Sequence, residues 1–251
     1  MATTKRILVT GAGSGFGKLA AVALAQRGHQ VIATTETDDQ ASQLRHDAPS
    51  LHVEKLDITT NDVDKVHAWT IDVLVNNAGA GETGPLADVP MDRVRRLFEV
   101  NVFGTLKVTQ AVLVDMVPRR SGRIIIMSSI AGVLAAPGFG PYSMTKFALE
   151  AMGKSMRGEL APLGIDVTLI NPGPYLTGFN DRMAQSMWEW FNEQSLNSSE
   201  AELFRMIGDF VTTDQRDPNE VASRLVELVE ADITTENNFV PPDIKAQLGL
   251  A

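Results

Sequence analysis

The sequence has no cysteine, which rules out disulfides, thiol nucleophiles and thiolate metal sites. Its four histidines, at 29, 46, 52 and 67, fall in the first third, and none shares a metal-binding spacing with another. They are expected at the surface, and no metal site is expected. A surplus of positive charge is also missing: 22 Lys and Arg stand against 31 Asp and Glu, a net charge of −9. Duplex binding needs a basic stripe, so nucleic acid is not an expected partner. No apolar run approaches the roughly 20 residues that span a bilayer. The first strand-like run follows the amino terminus too closely for a signal peptide. The expectation is therefore a soluble, cytoplasmic protein without a membrane span. No low-complexity tract, short repeat or linker interrupts the chain.

What is present is a chain of 251 residues, 44% hydrophobic, enough to bury one sizeable core. Apolar runs of strand length fall at 7–10, 30–34, 51–56, 71–75, 123–127, 165–170 and 238–240. Helix-like stretches fall between them at 18–27, 38–46, 61–69, 90–118, 142–161 and 218–231. Strands separated by helices imply an α/β fold: a doubly wound parallel sheet of about seven strands, helices on both faces, in a single domain over residues 1–251. Polar clusters end several of the strands: Asp57-Ile58, Asn76 to Gly79, Ser128-Ser129 and Asn171 to Gly173. In open α/β sheets ligands bind at that edge, so these clusters converge on one site.

Two local patterns suggest what the site does. The first strand ends in Thr10-Gly11-x-x-x-Gly15-x-Gly17 and runs straight into a helix. Such a turn lets the backbone approach a pyrophosphate, and the helix amino terminus favours the anion. The spacing is not G-x-G-x-x-G, and a turn that merely permits tight strand–helix packing is the plain alternative. The second pattern is Tyr142-x-x-x-Lys146, two residues on one helical face. A cation beside a phenol favours the phenolate and lowers a pKa that is ordinarily about 10. Such a Tyr can exchange a proton with an alcohol or ketone.

Taken in order, the glycine turn, Asn76-Asn-Ala-Gly79, Asn101, Ser129, Tyr142-x-x-x-Lys146 and Pro172-Gly173 with Thr177 resemble the short-chain dehydrogenase/reductase family in its compact, Rossmann-type branch. Tyr142 follows Ser129 by 13 residues, and that spacing singles out Ser129 rather than Ser128. The resemblance implies that Tyr142 is the general acid/base, that Lys146 lowers its pKa and binds nicotinamide ribose, and that Ser129 holds the substrate oxygen. Asn101 would bend its helix and position a water. Gly11, Ser14, Gly15, Phe16 and Gly17 would surround the pyrophosphate. Asp57 and Ile58 would flank the adenine, and Asn77, Ala78 and Gly79 its ribose. Pro172, Gly173, Tyr175 and Thr177 would line the nicotinamide. Asp57 has a second reading as a cap for Thr59.

Cofactor choice in the family is read after the second strand, here at Thr35 and Glu36, and at Ser14 before the second glycine of the motif. None is basic, and Glu36 would repel a 2′-phosphate, so NAD(H) is favoured over NADP(H). Residues 177–215 carry Phe179, Met183, Met187, Trp188, Trp190, Phe204, Met206 and Phe210. They are expected to form a mobile substrate lid of one or two amphipathic helices, or else to pack as core. An apolar secondary alcohol or ketone, steroid-, retinoid- or aromatic-like, is the expected substrate. One alternative is an NADPH-dependent reductase of carrier-bound 3-oxoacyl groups, docking through Arg93, Arg95, Arg96, Arg119 and Arg120. Another is a non-catalytic dinucleotide sensor. Helices 90–118 and 142–161 would build a homodimer or homotetramer, with Ala148, Ala151 and Gly153 allowing close contact, or would use those residues against their own sheet.

Overall fold

Each central strand is apolar on both sides because each side of the sheet is covered. Ile7 and Val9 face one core and Leu8 the other; Val73 and Val75 divide from Leu74 in the same way, and Ile125 from Ile124 and Ile126. This period-two division lets a continuous run of branched residues serve two cores at once. The computed structural model describes residues 3–247 and 249. Its strands are β1 (Arg6–Val9), β2 (Gln30–Thr35), β3 (His52–Lys55), β4 (Val73–Asn76), β5 (Gly122–Met127), β6 (Ile165–Pro172) and β7 (Asn237–Val240). They form one parallel sheet in the order β3-β2-β1-β4-β5-β6-β7.

The helices are α1 (Gly15–Gln26), α2 (Asp38–Asp47), α3 (Met91–Phe98), α4 (Thr105–Arg119), α5 (Gly140–Leu160), α6 (Phe179–Ser186), α7 (Ala201–Thr212), α8 (Asn219–Glu230) and α9 (Ile244–Gln247). One face of the sheet is covered by α1, α2 and α8, the other by α4 and α5. The strand order reverses between β1 and β4, so the connections leaving those two strands diverge and open a crevice at their carboxyl ends. The expected link at 61–69 is a short 3₁₀ segment, Asn61–Ala68, capped by the Thr60 hydroxyl.

Two readings of the sequence change, and one open alternative closes. The stretch 91–119 is a continuous helical rod. By length and composition it is apolar enough to cross a bilayer, contrary to the expectation that no segment would be. Val108, Val112 and Met116 on it are spent on the sheet. Within the rod one turn, Glu99–Gly104, widens to a π turn, and it carries Asn101. His29 is buried rather than exposed: it accepts from the Lys5 backbone N–H at 3.2 Å, and its other ring nitrogen lies 3.2 Å from Glu230. Gly153 packs against Leu169 of its own sheet, where a Cβ would come within 2.8 Å of that side chain, so this glycine serves the core.

Arg123, near the start of the interior strand β5, ties α8 to the sheet. Its guanidinium is almost fully buried, donates to Asp166 at 2.8 Å, and satisfies the carbonyls of Leu228 at 2.6 Å and Ala231 at 2.7 Å at the end of α8. Removing one partner of such a group leaves the others buried and unpaired, at about 3–5 kcal/mol. Arg123→Met is therefore expected to lower the midpoint of thermal unfolding by several degrees. An unchanged midpoint in calorimetry would refute that role.

Candidate functional site

The crevice is one continuous cavity of about 1210 Å³. It runs from the ends of β2 and β3, across the glycine turn, to the ends of β5 and β6 and beneath α7. Its geometry starts at Thr10, the last residue before the turn. The Thr10 hydroxyl accepts from the backbone N–H of Asn77 and of Ala78, both at 3.1 Å. The Asn77 side chain donates back to the carbonyls of Thr10 at 3.0 Å and Gly11 at 2.9 Å. Gly11 has φ +64°, and a Cβ there would fall 2.7 Å from the Ala78 Cα. Only glycine permits this approach. Gly17 packs just as closely against Asn77, and it lies behind the cavity rather than on its wall.

The amino terminus of α1 faces the cavity with its backbone bare. Ser14 caps it without a side-chain hydrogen bond, the first turn holds no acidic residue, and Gly15 has φ +54° with Thr177 opposite. First-turn N–H groups are free donors with a partial positive charge. A pyrophosphate fits this donor set. Glu36, Asp57, Ile58, Ala78 and Gly79 line the same cavity, as do Pro172, Gly173 and Thr177. Asp57 also accepts from the Thr59 N–H at 2.9 Å and hydroxyl at 2.7 Å, so it caps its turn while facing the cavity. Thr35 is buried and donates to the Thr37 carbonyl at 3.0 Å, away from the cavity wall. Tyr175 lines the cavity as well; its ring is buried edge-on against Phe16, and its hydroxyl donates to Glu220 at 2.9 Å, which ties this wall to α8.

The polar residues at the other end converge as expected. After β5 the backbone sends Ser128 inward, where it donates to Glu150 at 2.6 Å, and Ser129 outward to the cavity. Tyr142 and Lys146 rise from the first turns of α5, with the Lys146 ammonium 5.4 Å from the centre of the phenol ring. Lys146 is buried and donates to the Met127 carbonyl at 2.8 Å. Asn101 stands behind them. It accepts from the Ala80 N–H at 2.8 Å and donates to the Ala80 carbonyl at 2.9 Å and to Thr145 at 3.0 Å. The π turn thus binds the loop after β4 to the helix that carries Tyr142.

Electrostatics here differ from the expectation. Burial pushes the Tyr142 phenol well above its ordinary range, with the Ser129 hydroxyl beside it pulling the other way, so the phenol is held protonated. Burial lowers Lys146 to about 8, opposed by the Glu150 carboxylate one helical turn on. Burial is the largest cause of both shifts, and it acts with opposite sign on a phenol and an ammonium. In the sequence Thr10 is legible only as the start of the glycine motif, and Thr145 and Glu150 give no sign of taking part beyond the spacing of Glu150 from Lys146, four residues on one helix.

Residues 177–215 split into two parts. Met183 and Met187 are buried, Thr83 donates to the Met183 carbonyl at 2.8 Å, and Trp190 donates to buried Glu82 at 3.2 Å. Arg93 binds Glu82 at 3.1 Å and Glu189 at 2.7 Å. This half is fastened to the body. In contrast, α7 has no buried residue, and it lays Leu203, Met206 and Phe210 along the cavity while they stay largely open to solvent.

Lys146 carries a pH signature. Its folded value of about 8 lies below the ordinary 10.5, so between these limits the unfolded chain binds more protons. The cost of burying the charge is complete below pH 8 and fades as pH rises to 10.5; a displacement of that size corresponds to about 3 kcal/mol. Denaturant titrations should show wild type gaining stability relative to Lys146→Met across that window. Parallel curves for the two proteins would contradict it.

Comparison with known proteins agrees with this geometry. The sequence profile of the short chain dehydrogenase family matches residues 5–188. An uncharacterized oxidoreductase of Bacillus subtilis, YusZ, is 38% identical over 239 residues, covering 89% of this chain and 84% of its own. Mouse retinol dehydrogenase 5 is 39% identical over 182 residues, covering 68% of this chain and 57% of its own. A short-chain dehydrogenase from Streptomyces avermitilis superposes with a TM-score of 0.81 at 29% identity, covering 98% of this chain and 96% of its own. Other solved structures of this fold hold NAD in one case and NADPH in another. The chain belongs to the short-chain dehydrogenase family, oxidoreductases that act on CH–OH groups.

Proposed function

We propose that this protein interconverts an apolar secondary alcohol and its ketone, with NAD(H) as the preferred dinucleotide and Tyr142 as general acid/base. The observation that carries the reading is the single cavity. At one end it has a bare helix amino terminus and glycine turn, in the middle the Ser129–Tyr142–Lys146 cluster, and beside that the open apolar face of α7. A bound dinucleotide would supply or accept the hydride. The backbone of residues 11–16 would hold its pyrophosphate, Glu36 its adenosine ribose, and Pro172, Gly173 and Thr177 its nicotinamide end.

The chain's own part is proton chemistry and positioning. Ser129 would donate a hydrogen bond to the substrate oxygen and keep it beside the phenol. Tyr142, protonated at neutral pH, is suited to donate to a ketone oxygen during reduction and to take the proton back during oxidation. Lys146, titrating near 8, is suited to restore that proton, and Asn101 holds the helix that carries both. The exposed Leu203, Met206 and Phe210 favour a substrate with a bulky apolar body, retinoid-, steroid- or aromatic-like.

Carrier docking is less favoured. Of the arginines that would make the basic patch, Arg93, Arg96 and Arg119 are each paired with a carboxylate of this chain. Phe103 and Val114 on one long helix and Met144 and Phe147 on α5 are exposed apolar residues, which supports assembly of two or more copies through these helices.

NADH oxidation and NAD reduction, followed by cofactor fluorescence against a panel of apolar ketones and secondary alcohols, test the activity. Tyr142→Phe is expected to lower turnover by about 10²–10⁴ with NADH affinity unchanged; near-normal turnover would sink the mechanism. Phe210→Ala with Met206→Ala should raise KM for the best apolar substrate while leaving KM for NADH and the unfolding midpoint unmoved. Equal KM for wild type and variant would remove α7 from the substrate site.

A further inference from the structure

The acidic residue expected to repel a 2′-phosphate does not stand alone. Glu36 is bound to Arg96, at 3.1 Å, and both side chains are 55% exposed. Arg96 comes from α3, sixty residues further along the chain, and it lines the same end of the cavity as Glu36, Ile58 and Thr59. Its other terminal nitrogen reaches only to 3.5 Å from the Thr59 hydroxyl, a weak contact. The Glu36 backbone is held from below, because Gln40 accepts from its N–H at 3.0 Å and completes the capping box of α2. Glu36 is therefore fixed at its root, whereas Arg96 reaches it from an exposed position on a different element.

Resting on the reading that adenosine lies at this end, we propose that Arg96 is a latent site for the 2′-phosphate of NADP(H), and that its pairing with Glu36 sets the preference between the two dinucleotides. A guanidinium fork matches a phosphate monoester, which carries nearly two negative charges at pH 7. An ion pair this exposed is weak and exchangeable. With Glu36 present, the phosphate must displace a carboxylate and then remain beside it. With Glu36 neutral, Arg96 is free to turn to the phosphate. A 2′-hydroxyl asks nothing of Arg96 and can donate to Glu36, so NAD(H) leaves the pair intact.

The test is a double-mutant cycle read as dissociation constants for NADH and NADPH from nucleotide fluorescence, using wild type, Glu36→Gln, Arg96→Gln and the double variant. Glu36→Gln should tighten NADPH about tenfold, equivalent to about 1.4 kcal/mol. In the Arg96→Gln background the same change should give a clearly smaller gain, because only relief of repulsion remains. Arg96→Gln alone should leave NADH binding within a few-fold of wild type. 2′,5′-ADP should follow NADPH through the cycle, and 5′-AMP should not. Equal NADPH gains in both backgrounds, with NADH bound by wild type, would overturn the role of Arg96 and leave the dehydrogenase reading standing. Failure of wild type to bind either dinucleotide would overturn both.

Discussion

The site depends on the way Thr10 stitches two diverging strands together. Its hydroxyl accepts from two successive N–H groups after β4, and Asn77 returns two hydrogen bonds to the turn after β1. These four bonds span the point where the strand order reverses and the connecting chains leave toward opposite faces. Backbone groups exposed there would be unsatisfied in a crevice. Paired this way, they hold the glycine turn against Ala78 so closely that a single methyl at Gly11 has no room. The amino terminus of α1 is then presented bare to the cavity.

A second layer fixes the proton chemistry. Asn101 lies in a π turn, where the helix widens and its side chain escapes the helical ladder to bind Ala80 and Thr145. Glu150, Ser128, Asn171 and Asn237 form a buried network under the Ser129 strand end, closed by bonds of 2.6 to 2.8 Å to the Glu150 carboxylate. The network puts a negative charge one turn from Lys146 and so limits how far burial can strip that lysine of its proton. Against burial Tyr142 has only the Ser129 hydroxyl, and its phenol stays neutral. The pair thus divides acid strength between a firm donor and a readily titrating neighbour, from desolvation acting with opposite sign on a phenol and an ammonium.

The cavity joins a rigid end to a loose one. Around the glycine turn, closely packed glycines and four hydrogen bonds of 2.9 to 3.1 Å leave little slack. At the far side, Glu82, Arg93, Thr83 and Trp190 fasten the α6 segment, while α7 spreads its apolar face over the cavity without burying any residue. A wall of that kind can adapt to different apolar bodies, because little packing is lost when it moves.

Most of the architecture was legible in the chain itself. Branched apolar runs alternating with helical stretches dictate a parallel sheet covered on both faces, and the polar clusters ending those runs must then share one edge. The order and spacing of Gly11 to Gly17, Asn101, Ser129, Tyr142 and Lys146 identified the family before any coordinate. What the sequence could not decide depends on which groups meet across the fold. Glu36 read as an unpaired repulsive charge until Arg96 arrived from α3. Tyr142 read as a phenol acidified by Lys146 until burial of both reversed the balance. The aromatic segment read as lid or core until its first half was found fastened and its second open. Charge pairing and desolvation are set by neighbours distant in sequence, whereas strand, helix and turn preferences are set by neighbours close in it.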